Sequence, residues 1–318
     1  MAQYTLRQLE YFVAVAEAGS VTGAARRVHL SQSAMSTALT DLERALDVQL
    51  LVRHHARGVT LTPAGEQLLV ASRRLLTQAA DLQAEAQNLG SALTGPLTLG
   101  CFGVLAPYVL PELLVTSAQR YPGLRLETFE EDLDDLADSV LSGRFELGLS
   151  YHLAQDPRLS VRRLFSLPPY VLLPVGHRLA GHRRLALSQL AGEPLALLDL
   201  PQSRDYFRGL FERAGVTPAV RYRSSSVETC RALVGRGLAY TLLNLQPRAS
   251  TSLDGHPVVS VPLDSPAAAL DVVLLTSASS RPTRRATAVA DLCTELPSYA
   301  RRSWRTTEPG VRRCDSCG

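Results

Sequence analysis

Five side chains between positions 32 and 40 share one chemistry. Gln32, Ser33, Ser36, Thr37 and Thr40 are an amide and four short hydroxyls, all able to donate and accept hydrogen bonds. On a helix their spacing puts them along one strip, with no long aliphatic group to hold a partner away. An ordinary solvated face is the competing reading, but such faces carry Lys, Glu and Arg, and here charge waits until Asp41, Glu43 and Arg44. The strip therefore suits base edges in a groove of double-stranded DNA, with Arg53 and Arg57 nearby as cations for phosphate or the minor groove.

Catalytic chemistry is not legible in the same way. The chain has no G-x-S-x-G and no H-E-x-x-H, and after Gly235-Arg236-Gly237 the third glycine of a dinucleotide fingerprint is replaced by Tyr240. The seven histidines are scattered. Cysteines stand at 101, 230, 293, 314 and 317, an odd number without the spacing of a disulfide framework. Cys314 and Cys317 form a C-x-x-C, but no second Cys/His pair accompanies them to complete a zinc site. No catalytic residue, metal or resident cofactor is expected, and a reducing compartment fits.

The elements that must position the strip are readable from hydrophobic period and caps. Leu6, Leu9, Phe12 or Val13, and Ala16 mark a helix over 6–18, stopped by Gly19. Ser20 caps a short second helix that buries Val21, Ala24, Ala25 and Val28; Ser31 caps a third whose inward face is Met35, Ala38, Leu39, Leu42 and Leu46. Residues 49–53 and 58–62 read as two short strands around the tip 54–57, a wing. From Pro63 a helix runs to about position 91, with Leu68, Leu75, Leu82 and Leu89 repeating every seven residues. That seam predicts pairing with a second copy, the alternative being the chain's own second domain.

Beyond a hinge at 92–96 the rhythm changes to strands at 97–101, 124–130 and 145–150 alternating with helices at 108–119 and 132–142, a mostly parallel sheet. Pro168-Pro169 opens a second block, with candidate strands at 171–173, 195–198 and 219–222 and helices at 204–214 and 227–235. A late strand at 270–276 and a helix at 282–296 are expected to return to the first block. The predicted domains are thus a winged helix-turn-helix over 1–62, a dimerising linker helix over 63–91, the hinge, and a two-lobed α/β unit over 97–300. Its lobe I comprises about 97–167 and 268–300, and lobe II about 168–267. A disordered tail over 301–318 follows. Two lobes leave a cleft, the usual seat of a small ligand.

Length and composition set the limits. The 318 residues, 46% hydrophobic, suffice for more than one core. A net charge of only +3 makes DNA binding a matter of local placement, and all 33 basic residues are arginine. No apolar run approaches a membrane span and the start carries no export signal, so a soluble, cytoplasmic protein without a membrane partner is expected.

The residues at 6–12, 19–25, 30–36, 41–43 and 61–65 together resemble the N-terminal pattern of LysR-type transcriptional regulators, and 108–111, 121–123 and 234–239 resemble that family's effector domain. The resemblance implies a winged helix-turn-helix, a dimerising linker and a periplasmic-binding-protein-like effector domain, assembled as a homodimer or homotetramer and acting with RNA polymerase. By position, Gln32, Ser33, Ser36 and Thr37 would face the major groove, and Arg53 and Arg57 the backbone or minor groove. Phe102, Gly103, Val104, Tyr151, His152 and the loop Gln202-Ser203-Arg204 would line the effector cleft. Arg204, at a helix N-terminus, is the carboxylate-binding candidate, with pairing to Asp205 or Glu212 as its alternative. The family's frequent arginine near Thr37 is missing, which removes a guanine reader.

Overall fold

The computed structural model describes residues 4–54, 58–87, 93–153, 156–247, 249–264 and 269–295. The N-terminal unit begins with α1 (Leu6–Ala18), where Thr5 and Gln8 bond reciprocally in a capping box and Gly19 ends the helix in the left-handed region. Ser20 caps α2 (Val21–Arg27) and Ser31 caps α3 (Gln32–Leu46), each accepting a first-turn N–H. Leu9, Phe12, Val15, Ala25, Met35, Leu39 and Leu42 interlock as the core of the three helices.

Strands β1 (Leu51–His54) and β2 (Gly58–Leu61) pair antiparallel as the wing. The wing is tied down at both ends. One oxygen of Glu43 on α3 accepts from the Leu50 and Leu51 N–H groups at 2.8 and 3.1 Å. At the other end Val59 N–H donates to Gly19 O, and a Cβ on Gly58 would lie 2.4 Å from that same oxygen, so the approach requires glycine.

Pro63 starts α4 (Pro63–Gln87), about 38 Å long at 1.5 Å per residue. Lobe I follows: β3 (Gly95–Phe102), α5 (Ala106–Arg120), β4 (Leu124–Glu131), α6 (Leu133–Leu141), β5 (Leu147–Tyr151) and β6 (Leu159–Leu167). Lobe II contains β7 (Tyr170–Pro174), β8 (Pro194–Leu198), α7 (Pro201–Arg213), β9 (Ala219–Ser224), α8 (Val227–Gly235), β10 (Thr241–Leu243) and β11 (Val258–Pro262). The chain then returns to lobe I through β12 (Leu270–Ser277) and α9 (Arg284–Glu295), which adds Val289 and Cys293 to the lobe I core.

The lobe I sheet has the order β4-β3-β5-β12-β6. β3, β4, β5 and β6 run in one direction and β12 runs antiparallel to both β5 and β6, so the sheet is mostly parallel, as expected from sequence, with one reversed strand. The reason is the excursion through lobe II: β12 enters from the far end of the sheet. Strand β6 went unread because adjacent Arg162 and Arg163 break its alternation; a bulge opposite Val272/Val273 resets the register. In lobe II, β10 and β11 flank β7 antiparallel, and β8 and β9 form a parallel pair.

Candidate functional site

On α3 the predicted strip is outward. Gln32, Ser33, Thr37 and Thr40 are exposed and Ser36 half-buried. The hydroxyls are not equivalent, however. Thr37 and Thr40 donate to the Ser33 and Ser36 carbonyls at 3.0 Å, so outward they offer a methyl and an accepting oxygen. Gln32 retains a whole amide for a bidentate contact. Arg53 crosses from β1 to donate to Ser36 Oγ at 2.9 Å, which places its guanidinium beside α3 instead of out along the wing. His54, absent from the sequence-based site, bonds Thr60 across the hairpin. Arg57 lies outside the described residues.

On α4 the seven-residue repeat divides. Leu68 packs against the core of the N-terminal unit together with Leu69 and Leu76. Leu75 and Leu82 are 38% and 68% exposed, so they alone keep an open aliphatic surface among the described seam positions. Leu89 lies outside the described residues. A different face of the helix meets lobe I: Arg73 donates to the Ser142 carbonyl at 3.5 Å while pairing with Glu17 of α1 at 3.3 Å, and Arg74 donates to Ser277 at 3.3 Å. Glu17 also pairs with Arg27 of α2 at 2.8 Å.

Between the lobes, Val104, Tyr151 and Ser203 share the wall of one cavity. Its volume is about 20 Å³ for the centre of a water-sized sphere, room for a water or two, so this state is nearly closed. Phe102 sits edge-on to Tyr151 at 5.5 Å and lines a separate hollow, with Asp132, Asp134, Asp135 and Pro201. Gly103 is half-buried and held by its N–H to Glu131 O; His152 is exposed and held by its N–H to Asp271 O. Neither residue lines the cavity.

Arg204 departs most from expectation. Its Nε donates to Asp199, which also accepts from Arg223 at 3.3 Å. Its protein partner is therefore Asp199 and not Asp205 or Glu212. Burial pushes the Asp199 carboxyl up, yet the hydrogen bonds and charges of the two arginines outweigh it and hold the group below its usual range. A carboxylate ending the apolar run Leu195–Leu198 was the available sequence signal.

Sequence reading also missed Tyr108 and Asn244 in the cavity wall. The Asn244 amide donates to Leu167 O at 2.9 Å and to the Tyr206 hydroxyl at 2.8 Å. A lone carboxamide in Thr241-Leu242-Leu243-Asn244-Leu245 was its signal. Burial pushes Tyr206 up to about 12, opposed in part by Asn244, and raises Tyr151 well above its ordinary value. Both hydroxyls stay neutral. Among the described residues no His/Cys/Asp/Glu group has metal-site geometry, and no helix is long and apolar enough to cross a membrane. Cys314 and Cys317 lie outside the described residues.

Comparison with known proteins divides the chain in two. The family described as bacterial regulatory helix-turn-helix protein, lysR family, matches residues 6–66, and the LysR substrate binding domain matches 90–297. A hydrogen peroxide-inducible genes activator of Dickeya chrysanthemi is 31% identical over 239 residues, 75% of this chain and 78% of the relative. A probable hydrogen peroxide-inducible genes activator of Streptomyces viridosporus is 35% identical over 243 residues, 76% of this chain and 78% of the relative. The crystal structure of HinK, a LysR family transcriptional regulator from Pseudomonas aeruginosa, covers 92% of this chain and 98% of its own at 35% identity and a TM-score of 0.62. A full-length OxyR variant from the same organism reaches a TM-score of 0.72 at 26% identity, covering 91% and 97%.

Proposed function

The chain belongs to the LysR family of transcription regulators, and from that premise we propose which of its residues read DNA, pair two copies and carry the signal between them. It is a sequence-specific DNA-binding regulator whose activity is modulated by a small molecule bound between its two α/β lobes. In our reading Gln32 and Ser33 contact base edges in the major groove, Thr37 and Thr40 present methyls and acceptors, and Arg53 and Arg57 hold phosphate. The observation that carries this reading is the capped helix α3, with its outward strip and Arg53 fixed beside it by Ser36.

Two copies pair through Leu75 and Leu82, and a dimer or tetramer of this kind sets the spacing of the DNA-binding heads. Arg73 links the effector lobe, through Ser142, to Glu17 in the head, and this junction carries the effector signal. The ligand shifts the DNA-bound arrangement only as far as it prefers one of the two states. The regulator acts in the cytoplasm with RNA polymerase as its partner on promoter DNA, without catalysis and without a resident cofactor.

We also propose that a bound molecule, and not thiol oxidation by peroxide, is the signal at the described cysteines. Cys101, Cys230 and Cys293 are buried, and burial pushes Cys230 up to about 11, Cys293 up to about 12 and Cys101 higher still. The thiolate is the reactive form, and these sites suppress it.

Selection of binding sites from random duplexes, followed by footprinting, tests the function. Recovery of an interrupted palindrome protected by wild type, and protected more weakly and with relaxed base preference by Gln32→Ala, supports the assignment. Enrichment of no sequence overturns it. A footprint in a Cys314→Ser/Cys317→Ser variant that changes with hydrogen peroxide would overturn the thiol argument separately.

A further inference from the structure

Where α4 meets lobe I the two enclose a cavity of about 60 Å³, three times the interlobe cavity on the same measure and with no lining residue in common. Arg74, Thr77 and Gln78 of α4 form one wall. The end of α6, the end of β12 and the turn into α9 form the other, with Gly143, Ser277, Ser280 and Arg281. Gly143, in the left-handed region, comes up against the stems of Arg73 and Arg74 and closes one side. We propose that this cavity is a second ligand site, which takes a small organic carboxylate and ties the linker helix to the lobe. It stands apart from the cleft and does not depend on what the cleft binds.

Two guanidiniums reach the cavity from different elements, and neither is ion-paired among the described residues. Arg74 donates to the Ser277 hydroxyl at 3.3 Å, and Arg281 has no hydrogen bond or ion pair among the described residues. The Thr77 and Ser280 hydroxyls and the Gln78 amide are likewise without a partner there, so donors outnumber what the protein itself uses. Glu146 is the one carboxylate among the described lining residues, and it accepts from the Thr283 hydroxyl at 2.9 Å. Two arginines against one carboxylate leave the cavity positive, which opposes an amine and favours an anion that a guanidinium can grip with two N–H groups. The floor is apolar, with Val140, Phe145 and Ala286, and gains from an aliphatic body that inorganic phosphate lacks. The volume is that of about four to six waters, the size of butyrate. A molecule gripped by Arg74 on one side and Arg281 on the other bridges the helix and the lobe.

Calorimetry on the full chain at fixed ionic strength compares butyrate, butyramide, butylamine and inorganic phosphate. Butyrate should bind at millimolar concentration, and the other three about tenfold more weakly or worse. Arg281→Gln removes an exposed, unpaired side chain and should weaken butyrate about tenfold with the fold intact; Arg74→Gln, which keeps a donor toward Ser277, should do the same. Hydrogen exchange locates the site: butyrate should slow exchange at 276–283 and along 71–78 of α4 in wild type, and in neither variant. Butyrate that binds both variants as it binds wild type, or that protects 198–207 beside the cleft instead, overturns the site. Phosphate or butyramide binding as tightly as butyrate, and lost with it in both variants, keeps the site and overturns the ligand class. No response to butyrate up to about 20 mM, where fragments of ordinary efficiency register, overturns the proposal.

Discussion

Asp199 shows how one residue changes the meaning of its neighbours. Two arginines converge on its carboxylate and hold it below the usual carboxylate range. A depressed carboxyl contributes stability that is complete above the unfolded value near 3.9 and lost as pH falls through the folded value. Asp199→Asn should therefore lower stability at pH 7 by about 1 kcal/mol, since the partners are partly solvated, and should flatten the acid limb. Urea midpoints at pH 7 and pH 3 check this, and an equal loss at both would remove the charge argument. On α3, Gln32→Ala should cost about 1–3 kcal/mol of DNA affinity and relax preference at one base pair. Arg53→Ala should weaken binding to all sequences alike and reduce the salt slope by about 1. Gel shifts on permuted operators at several salt concentrations separate the two.

At the scale of the element, α4 carries two leucine stripes with different obligations. Leu69 and Leu76 are bound into the core of the head, while Leu75 and Leu82 present their side chains outward. An isolated helix this long is poorly stabilised in water unless it buries its apolar face. Leu75→Arg or Leu82→Arg should thus give a folded monomer that no longer binds an interrupted palindrome. Leu76→Arg should instead unfold the head. Sedimentation velocity with circular dichroism reads both, and a dimer persisting in Leu82→Arg would remove the seam from this face.

Across the whole molecule, the path from cleft to DNA runs through the junction of three parts. Glu17 serves Arg27 in the head and Arg73 in the linker helix, and Arg73 also reaches the end of α6 in lobe I. Arg73→Ala should leave ligand binding in place and reduce the coupling between ligand and DNA, which in such systems is about 1–3 kcal/mol. DNA affinity measured with and without an effector found by thermal-shift screening, in wild type and variant, forms the cycle. Undiminished coupling in the variant would route the signal elsewhere.

The first three helices and the linker were legible because their signals are local: Ser20 and Ser31 cap the turns beside them, and the period of Leu9, Phe12, Met35 and Leu39 marks the buried face. Strand β6 was hidden by its charged edge position, and the antiparallel course of β12 by its dependence on a partner more than a hundred residues away. The sequence by itself determined the helix-turn-helix, its outward hydrogen-bonding strip and the alternating α/β order that follows, because hydrophobic period and capping are properties of neighbours in the chain. Only the tertiary structure decided which charges meet. Arg204 is bound to Asp199, Leu68 is tucked into the head and Tyr108 joins Asn244 at the cleft, because each pairing is set by how separate elements pack, and nothing in the spacing of the residues along the chain records it.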